Sequence, residues 1–317
     1  MTIGTCRMGC KRLHEETKPM KKIYAYLNGG LGNQMFQYAT ARALALRTGA
    51  ELVLDSWSGF TRDYEYQRSY ELHKLNIQAR LATAMERAPI WLFRTENKFR
   101  GKTHHIIQRR LYGTFLLETE MRFLQEISKY DNAATAWLVG YWQSPLYFQE
   151  YTKTLRSELM PPQPSRLKFS DLGKTMRETE SVALSIRLYE ESSKPAFDTK
   201  GLEMMIAGLN VAISRMHSLQ PNAQFFVFCT HHSPIIEKLN LPKSTMLLTR
   251  DEGFDGTIDS LWQIAQCKHH IFTKSSYYWW GAWLSAGVGR DDDGSRHIFA
   301  EGNFNNQDGL YPTWQRF

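Results

Sequence analysis

Residues 23–55 read IYAYLNGGLGNQMFQYATARALALRTGAELVLD, and how this stretch is parsed decides the fold. A short apolar run, Ile23 to Leu27, empties into Asn28-Gly29-Gly30-Leu31-Gly32-Asn33, which is a strand ending in a glycine loop. Glycine accepts positive φ and lets another molecule approach peptide N–H groups that a Cβ would screen. Beyond the loop Asn33 is placed to cap a helix, along which Met35, Phe36, Ala39, Ala43, Leu44 and Leu46 recur at helical spacing. Gly49 supplies a left-handed stop, and Leu52-Val53-Leu54 forms a second strand closing on Asp55. The whole is a β-loop-α-β unit with its loop at the carboxyl edge of a parallel sheet.

The dinucleotide-binding fingerprint is the nearest general template, and Asp55 stands about where its ribose-binding acid belongs. Gly30 and Gly32 fill the first two glycine positions, but Met35 occupies the third, where close helix-to-strand packing wants glycine. A nicotinamide-type site is therefore disfavoured. A glycine loop that only turns the chain stays open beside one that admits a ligand.

The chain has 317 residues and a mass of 36.9 kDa, long for one compact domain and comfortable for two. Aromatic residues make up 13% of it, a proportion that suits a cleft handling sugars or flat rings. The net charge of +7 favours anionic partners without choosing among phosphorylated substrates, acidic membranes and nucleic acid. Cys6, Cys10, Cys229 and Cys267 are too few and too scattered for a secreted disulfide framework, which points to a reducing, cytoplasmic setting. Cys6, Cys10 and His14 share helical spacing but have no fourth ligand nearby, so no metal site is expected. Residues 1–19 are polar, lack a signal-peptide apolar core, and precede Met20-Lys21-Lys22, a natural start; residues 1–20 are expected to be a disordered extension. No apolar run long enough to span a bilayer occurs.

Further along, residues 57–77 form a loop rich in Tyr, Arg and Asp (Arg62, Asp63, Tyr64, Tyr66, Arg68, Tyr70), expected near a cleft. From Ala88 to Gly113 basic and aromatic residues interleave, a pattern that can grip a membrane surface peripherally. A solvated helix face is the preferred reading, because Glu96 and the histidines dilute the pattern. Residues 136–144 run from an apolar strand into Tyr141-Trp142-Gln143-Ser144, whose rings and amide suit sugar stacking as readily as a core. Pro161-Pro162-Gln163-Pro164 fits no helix or central strand and marks the linker between domains at 21–160 and 165–317. Beyond it strands at 182–186, 225–229, 246–248, 270–273 and 297–300 alternate with helices at 202–219, after Pro234, 257–266 and 277–284, which predicts a second parallel α/β sheet. Two Rossmann-like halves then face one cleft.

Two segments of the second half carry chemistry. Strand 182–186 ends on Arg187, a residue able to fork two N–H groups onto a diphosphate; a surface salt bridge to Glu190 is the plainer reading. Lys274-Ser275-Ser276 joins a strand to a helix, so hydroxyls and N-terminal amides can cradle phosphate. Asp259, in the preceding helix, can accept from a guanine edge or serve only as a first-turn charge.

Taken together, these residues resemble a known family. Asn28 to Ala39 is similar to the opening motif of the family 11 glycosyltransferases, the α-1,2-fucosyltransferases. Residues 140–144, Asp259-Ser260-Leu261 with Cys267-Lys268, Ser275 to Trp280, and Leu310-Tyr311-Pro312 resemble its later landmarks in the right order. The resemblance covers about residue 21 onward. It implies a GT-B fold with an acceptor-side first domain and a donor-side second one, and inverting, metal-independent transfer of L-fucose from GDP-fucose. The acceptor implied is a hydroxyl of a glycan or lipid-linked oligosaccharide of surface polysaccharide or O-antigen type, with no cofactor and no nucleic acid.

Carried over by position, Arg187 and the Ser275–Ser276 pair should hold the diphosphate and Asp259 the guanine. Gly30, Gly32, Asn33, Gln34 and Lys274 complete the expected donor site; Asp55, Tyr141, Trp142 and Gln143 form the expected acceptor side. Glu190 is the chosen general base, ahead of Glu191 and Asp198. The chain departs from the family at Ser185, Leu188, Glu190 and Tyr278, where the family has His, a second Arg, Asp and Ser. These departures keep two alternatives open: a non-catalytic glycan- or nucleotide-binding relative, or a transferase using a different GDP-sugar. A metal-dependent enzyme built on Asp291-Asp292-Asp293 is disfavoured, since that run looks like a solvated turn beside Gly294.

Overall fold

The structure is a computed structural model that describes residues 21–61, 63–88, 113–128, 130, 135–188, 198–288, 295–302 and 304–317. Lys22–Tyr26 forms β1, a strand buried on both faces. Ile23 and Ala25 enter the main core, while Tyr24 lies on the other face, stacked on Trp137 with ring centroids 4.4 Å apart. Helix α1, Leu31–Thr48, follows the glycine loop and ends at Gly49 with φ 67°, the left-handed stop expected there. It returns the chain to β2, Glu51–Asp55, parallel to β1. Two short strands, β3 (Arg80–Leu81) and β4 (Thr114–Leu117), and then β5 (Thr135–Val139) complete a sheet of order β3-β2-β1-β5-β4, parallel throughout.

A four-residue turn of helix, α2 (Gln125–Ser128), precedes β5, and α3 (Thr152–Leu159) follows it. The prolines at 161, 162 and 164 lie in an irregular stretch between α3 and α4 (Leu167–Glu178), as expected of residues that lack an N–H or clash with a preceding helical turn. The second sheet contains β6 (Ser181–Ser185), β7 (Gln224–Phe228), β8 (Met246–Leu248), β9 (His269–Phe272), β10 (Ile298–Ala300) and β11 (Gln315–Arg316). Its order is β11-β10-β9-β6-β7-β8, again all parallel. Helices α5 (Thr199–Leu219), α6 (Thr257–Gln266) and α7 (Ser276–Leu284) connect these strands.

Each sheet reverses its strand order once near its centre, between β1 and β5 in the first and between β6 and β9 in the second. Parallel α/β sheets bind ligands outside the carboxyl ends of strands at such switch points. The four loops leaving those strands are the glycine loop, 140–144, Ile186–Leu188 and Thr273–Ser276.

The two sheets share a core through α1 and α7. Phe36 meets Trp279 and Trp280 with centroids at 4.6 and 4.8 Å, and Phe148 stacks on Trp280 at 5.6 Å. Trp279 Nε1 donates to the Gly309 carbonyl at 2.7 Å, and Trp280 Nε1 to the Gly32 carbonyl at 2.9 Å. Much of the aromatic surplus therefore wedges the halves together instead of lining a sugar cleft. A buried ion pair reinforces this packing from α3. Glu158 accepts from Arg42 Nη2 at 2.8 Å and from the Tyr38 hydroxyl at 2.5 Å.

Several elements differ from expectation. Helix α1 begins at Leu31 with Gly30 in the N-cap position and no side-chain cap, so Asn33 lies inside the first turn and caps nothing. Helix α5 starts at Thr199, and the Asp198 carboxylate accepts from Gly201 N at 2.7 Å. Asp198 is therefore a cap, a role that explains an acid there without a base. The helix expected after Pro234 is one 3-10 turn, Ile236–Lys238. The basic-aromatic stretch lies outside the described residues apart from its two ends, as do residues 1–20 and Asp291-Asp292-Asp293. Among the described residues no helix is long and apolar enough to cross a membrane.

Candidate active site

The glycine loop and the start of α7 meet face to face. A Cβ on Gly32 would stand 2.4 Å from the Tyr277 amide nitrogen and 2.6 Å from the Ser276 carbonyl carbon, so only glycine permits this approach. Ser276 Oγ donates to Asn33 Oδ1 at 2.7 Å, and Gln143 Nε2 donates to the same oxygen at 2.8 Å. Three of the four switch-point loops thus converge on one amide oxygen. The fourth joins through the neighbouring strand: Arg187 N donates to Thr273 Oγ1 at 2.7 Å, which fixes the backbone carrying the Arg187 side chain beside β9.

On the second-sheet side, Ser275 is the N-cap of α7, its Oγ accepting weakly from Tyr278 N at 3.4 Å. An accepting hydroxyl keeps its own proton for a ligand. The helix start places its positive dipole end here, and the first turn of α7 carries no acid. Ser276 differs. Its one proton is directed to Asn33, so in this arrangement it latches the halves and is not a phosphate donor. Lys274 presents its backbone amide to Glu301 Oε2 at 2.7 Å, which brings a carboxylate into the same rim.

Several expected site residues are placed where they cannot touch a ligand. Gln34 is buried, its Nε2 donating to the Gly29 and Ser69 carbonyls and its Oε1 accepting from Glu71 N. It ties the 57–77 loop to the glycine loop. Asp55 is completely buried, and its carboxylate accepts from the backbone amides of Trp57, Ser58 and Ala88. With both oxygens used internally it closes a turn and does not face an acceptor. Trp142 is completely buried edge-on to Tyr147, and Gln143 is buried behind Asn33, so neither stacks on a sugar. Asp259 sits in the first turn of α6 as expected, but it accepts from Arg166 Nη2 at 2.6 Å and from Nε at 3.0 Å. A guanine edge there has to displace or share that guanidinium. Glu190 and Glu191 lie outside the described residues. Gly30, Gly32, Asn33, Arg187, Lys274, Ser275, Ser276 and half-buried Tyr141 remain grouped around the junction.

Two residues at this edge were not singled out by the sequence. Glu118, one residue beyond β4, accepts from Tyr141 N at 2.6 Å and Trp142 N at 3.0 Å. This clamp stabilises Trp142 in the left-handed region, at φ 55°. Burial raises the Glu118 carboxyl above the usual range, against the pull of those two amides. The Asn306 side chain lies beside it and pulls the same way as the amides; Trp142 Nε1 and Gln143 Oε1 have no hydrogen-bond partner among the described residues. The other residue is Arg68. Its guanidinium carbon lies 3.9 Å from where a Cβ on Gly30 would be, at the mouth of the glycine loop. Nothing in the order of residues 57–77 distinguishes Arg68 from its neighbours. The loop was visible as a cleft loop, but the side chain that faces Gly30 is selected by a turn that only the fold displays.

Among the described residues no group of three or more His, Cys, Asp or Glu is arranged to hold a metal ion.

Comparison with known proteins bears on this geometry. The model of glycosyl transferase family 11 matches residues 114–291. An α-1,2-colitosyltransferase of Escherichia coli is 30% identical over 280 residues, covering 84% of this chain and 88% of its own length. The O-antigen biosynthesis glycosyltransferase WbnK of Escherichia coli is 25% identical over 279 residues, covering 83% and 90%. A solved structure of NodZ α-1,6-fucosyltransferase soaked with GDP-fucose has a TM-score of 0.50 at 14% identity, over 84% of this chain and 92% of that one. That likeness concerns the fold. With the two parallel sheets it establishes the expected α/β, GT-B-type architecture.

Proposed function

Given that the chain belongs to glycosyl transferase family 11, we propose that it moves a 6-deoxyhexose from a GDP-sugar to a hydroxyl of a glycan. L-Fucose is the proposed sugar and an α-1,2 linkage the proposed product. The single observation that carries the reading is the junction at Asn33, where loops from both sheets' switch points meet an uncapped helix start and a serine-capped one. A nucleoside diphosphate laid across that junction meets Arg187, the Ser275 hydroxyl and the amide-bearing start of α7, all hydrogen-bond donors.

As the glycosidic bond to GDP breaks, negative charge grows on the β-phosphate, and preorganised donors lower the barrier because they need not reorient. Arg187 suits that task through its bidentate fork. Glu190 is the proposed base for the acceptor hydroxyl, attacking from the face opposite the leaving diphosphate and so inverting the anomeric centre. The reaction is proposed to run without a metal ion, with the guanidinium and helix amides providing the positive charge. The acceptor is proposed to be a surface-polysaccharide or O-antigen type glycan, the class named for WbnK, and the protein to work in the cytoplasm at or near the membrane that holds such acceptors.

A second reading concerns the sugar alone. The 30% identical relative is named for colitose, the 3-deoxy counterpart of fucose, so GDP-colitose is the alternative donor. GDP release measured with GDP-fucose, GDP-colitose and a UDP-sugar tests the proposal. Release from a GDP-deoxyhexose and none from the UDP-sugar is expected; the reverse order overturns it.

A further inference from the structure

We infer that Arg68, which belongs to the first sheet's half, reaches across the junction to contact the β-phosphate end of the donor. The inference rests on the GDP-sugar reading above and assigns that reading a further binding residue.

Arg68 is held in place by its backbone. The Asp63 carboxylate accepts from Tyr66 N at 3.1 Å and from Arg68 N at 3.0 Å, and Gln67 N donates to the Asp63 carbonyl at 3.1 Å. Gln67 takes the left-handed conformation that closes this turn, at φ 49°. On the other side of Arg68, the Ser69 carbonyl and Glu71 amide are bound by the buried amide of Gln34, one turn inside α1. One flank of the arginine is therefore closed onto Asp63 within the loop, and the other is fastened to the helix that starts at the glycine loop. The side chain stacks loosely on Tyr66, with its guanidinium carbon 5.3 Å from the ring centre, and its Nε and Cζ lie over Gly30.

Position then decides what the guanidinium meets. Gly30 and Gly32 are two residues apart, so their Cα atoms are at most about 7.6 Å from one another. Gly32 is in direct contact with the Ser276–Tyr277 backbone. Arg68 thus lies on the glycine-loop side of the approach between Gly32 and the start of α7. A nucleotide seated in the second half presents its terminal phosphate toward the first half, where the acceptor enters, and Arg68 is a cation of the first half placed for that end. Its charge matters because Glu301 occupies the same rim as Lys274 and offsets it. The first turn of α1 adds no acid to oppose an anion.

The experiment is calorimetric titration of GDP and GMP into wild type, Arg68→Ala and Arg68→Lys, with thermal melts alongside. Losing a charge-assisted phosphate contact should weaken GDP by about tenfold or more in Arg68→Ala. GMP, which lacks the terminal phosphate, should change by less than about twofold on the same reasoning. Arg68→Lys should fall between, since the charge stays and the fork is lost. Equal GDP affinity in Arg68→Ala and wild type overturns the inference, as does equal weakening of GDP and GMP. A wild type that binds no GDP at all instead removes the function on which the inference rests.

Discussion

Ser276 Oγ and Asn33 Oδ1, 243 residues apart in the chain, are hydrogen-bonded at 2.7 Å, and Gly32 lies in van der Waals contact with the same serine's peptide. The pair fixes the spacing between the two glycine- and serine-rich helix starts that the proposed reaction uses. Gly32→Ala should be costly because the new methyl meets backbone, which cannot rotate away. Overpacking of this kind destabilises by about 1–3 kcal/mol, and the helices should part enough to lower transfer by about tenfold or more. A thermal melt with a transfer assay checks this; an alanine variant with wild-type melting and turnover would show that the approach is not needed.

The two serines should separate by function. Ser275→Ala removes a helix cap, about 1 kcal/mol, together with a hydroxyl proton offered to phosphate, so both melting temperature and GDP affinity should drop. Ser276→Ala removes the latch to Asn33 but no phosphate donor, so it should lower stability by about 1 kcal/mol and leave GDP affinity nearly unchanged. Calorimetry on both variants is the measurement, and a larger loss of GDP affinity in Ser276→Ala would reverse the assignment.

Which parts of this arrangement were legible in the sequence follows a physical rule. The β1-loop-α1-β2 unit, the strand at 246–248 and the helix at 257–266 show local patterns of their own, and they appear where expected. Strands β3, β4 and β11 have two to four residues each, too short for any alternation to register. The places of Arg187 just beyond a strand end and of Ser275 at a helix cap are legible because such features are local. Asp55, Trp142 and Gln143 were misassigned because a polar or aromatic residue at a strand end looks the same whether it faces a ligand or satisfies the protein's own backbone. Only the amides of Ser58 and Ala88 reveal that Asp55 is fully used. Glu118 and Arg68 act through contacts to residues about 20 to 40 positions away, which no local pattern records.

Stability should fall as the solution is acidified, for a reason located at the opposite end of the second sheet. His269 is buried at the start of β9, and desolvation lowers its pKa to about 4 even though Glu180 accepts from its ring at 2.9 Å and pulls the other way. The unfolded chain takes up this proton near pH 6.5, the folded chain only near 4, so stability is complete above the first value and is lost as pH falls toward the second. The loss from this residue should be at most about 3 kcal/mol. Glu180, lowered by its contacts to Lys268 and His269, adds loss of the same sign at lower pH. Denaturant melts from pH 7.5 to 4 compare wild type with His269→Gln, which should flatten the profile above pH 4.5. An unchanged slope would place the effect elsewhere.

Glu158 binds α3 to α1 through Arg42 and Tyr38 in a buried setting. Glu158→Gln leaves the guanidinium without its counter-charge and should destabilise by about 3–5 kcal/mol. Chemical denaturation measures this. A change below about 1 kcal/mol, the usual value for an exposed pair, would mean that water reaches the site.

The central claim, transfer of a deoxyhexose from GDP across the Asn33 junction, is tested most directly by product analysis. The protein is incubated with GDP-fucose or GDP-colitose and a panel of galactose-terminated glycans in excess EDTA, and products are read by mass spectrometry and NMR. One added deoxyhexose in α-1,2 linkage is expected, at a rate that EDTA does not change and that Arg187→Lys reduces by about a hundredfold, since the cation remains without its fork. Tight GDP binding with no product and no GDP release from either donor would contradict the account, and would assign the chain to the binding proteins and not to the transferases.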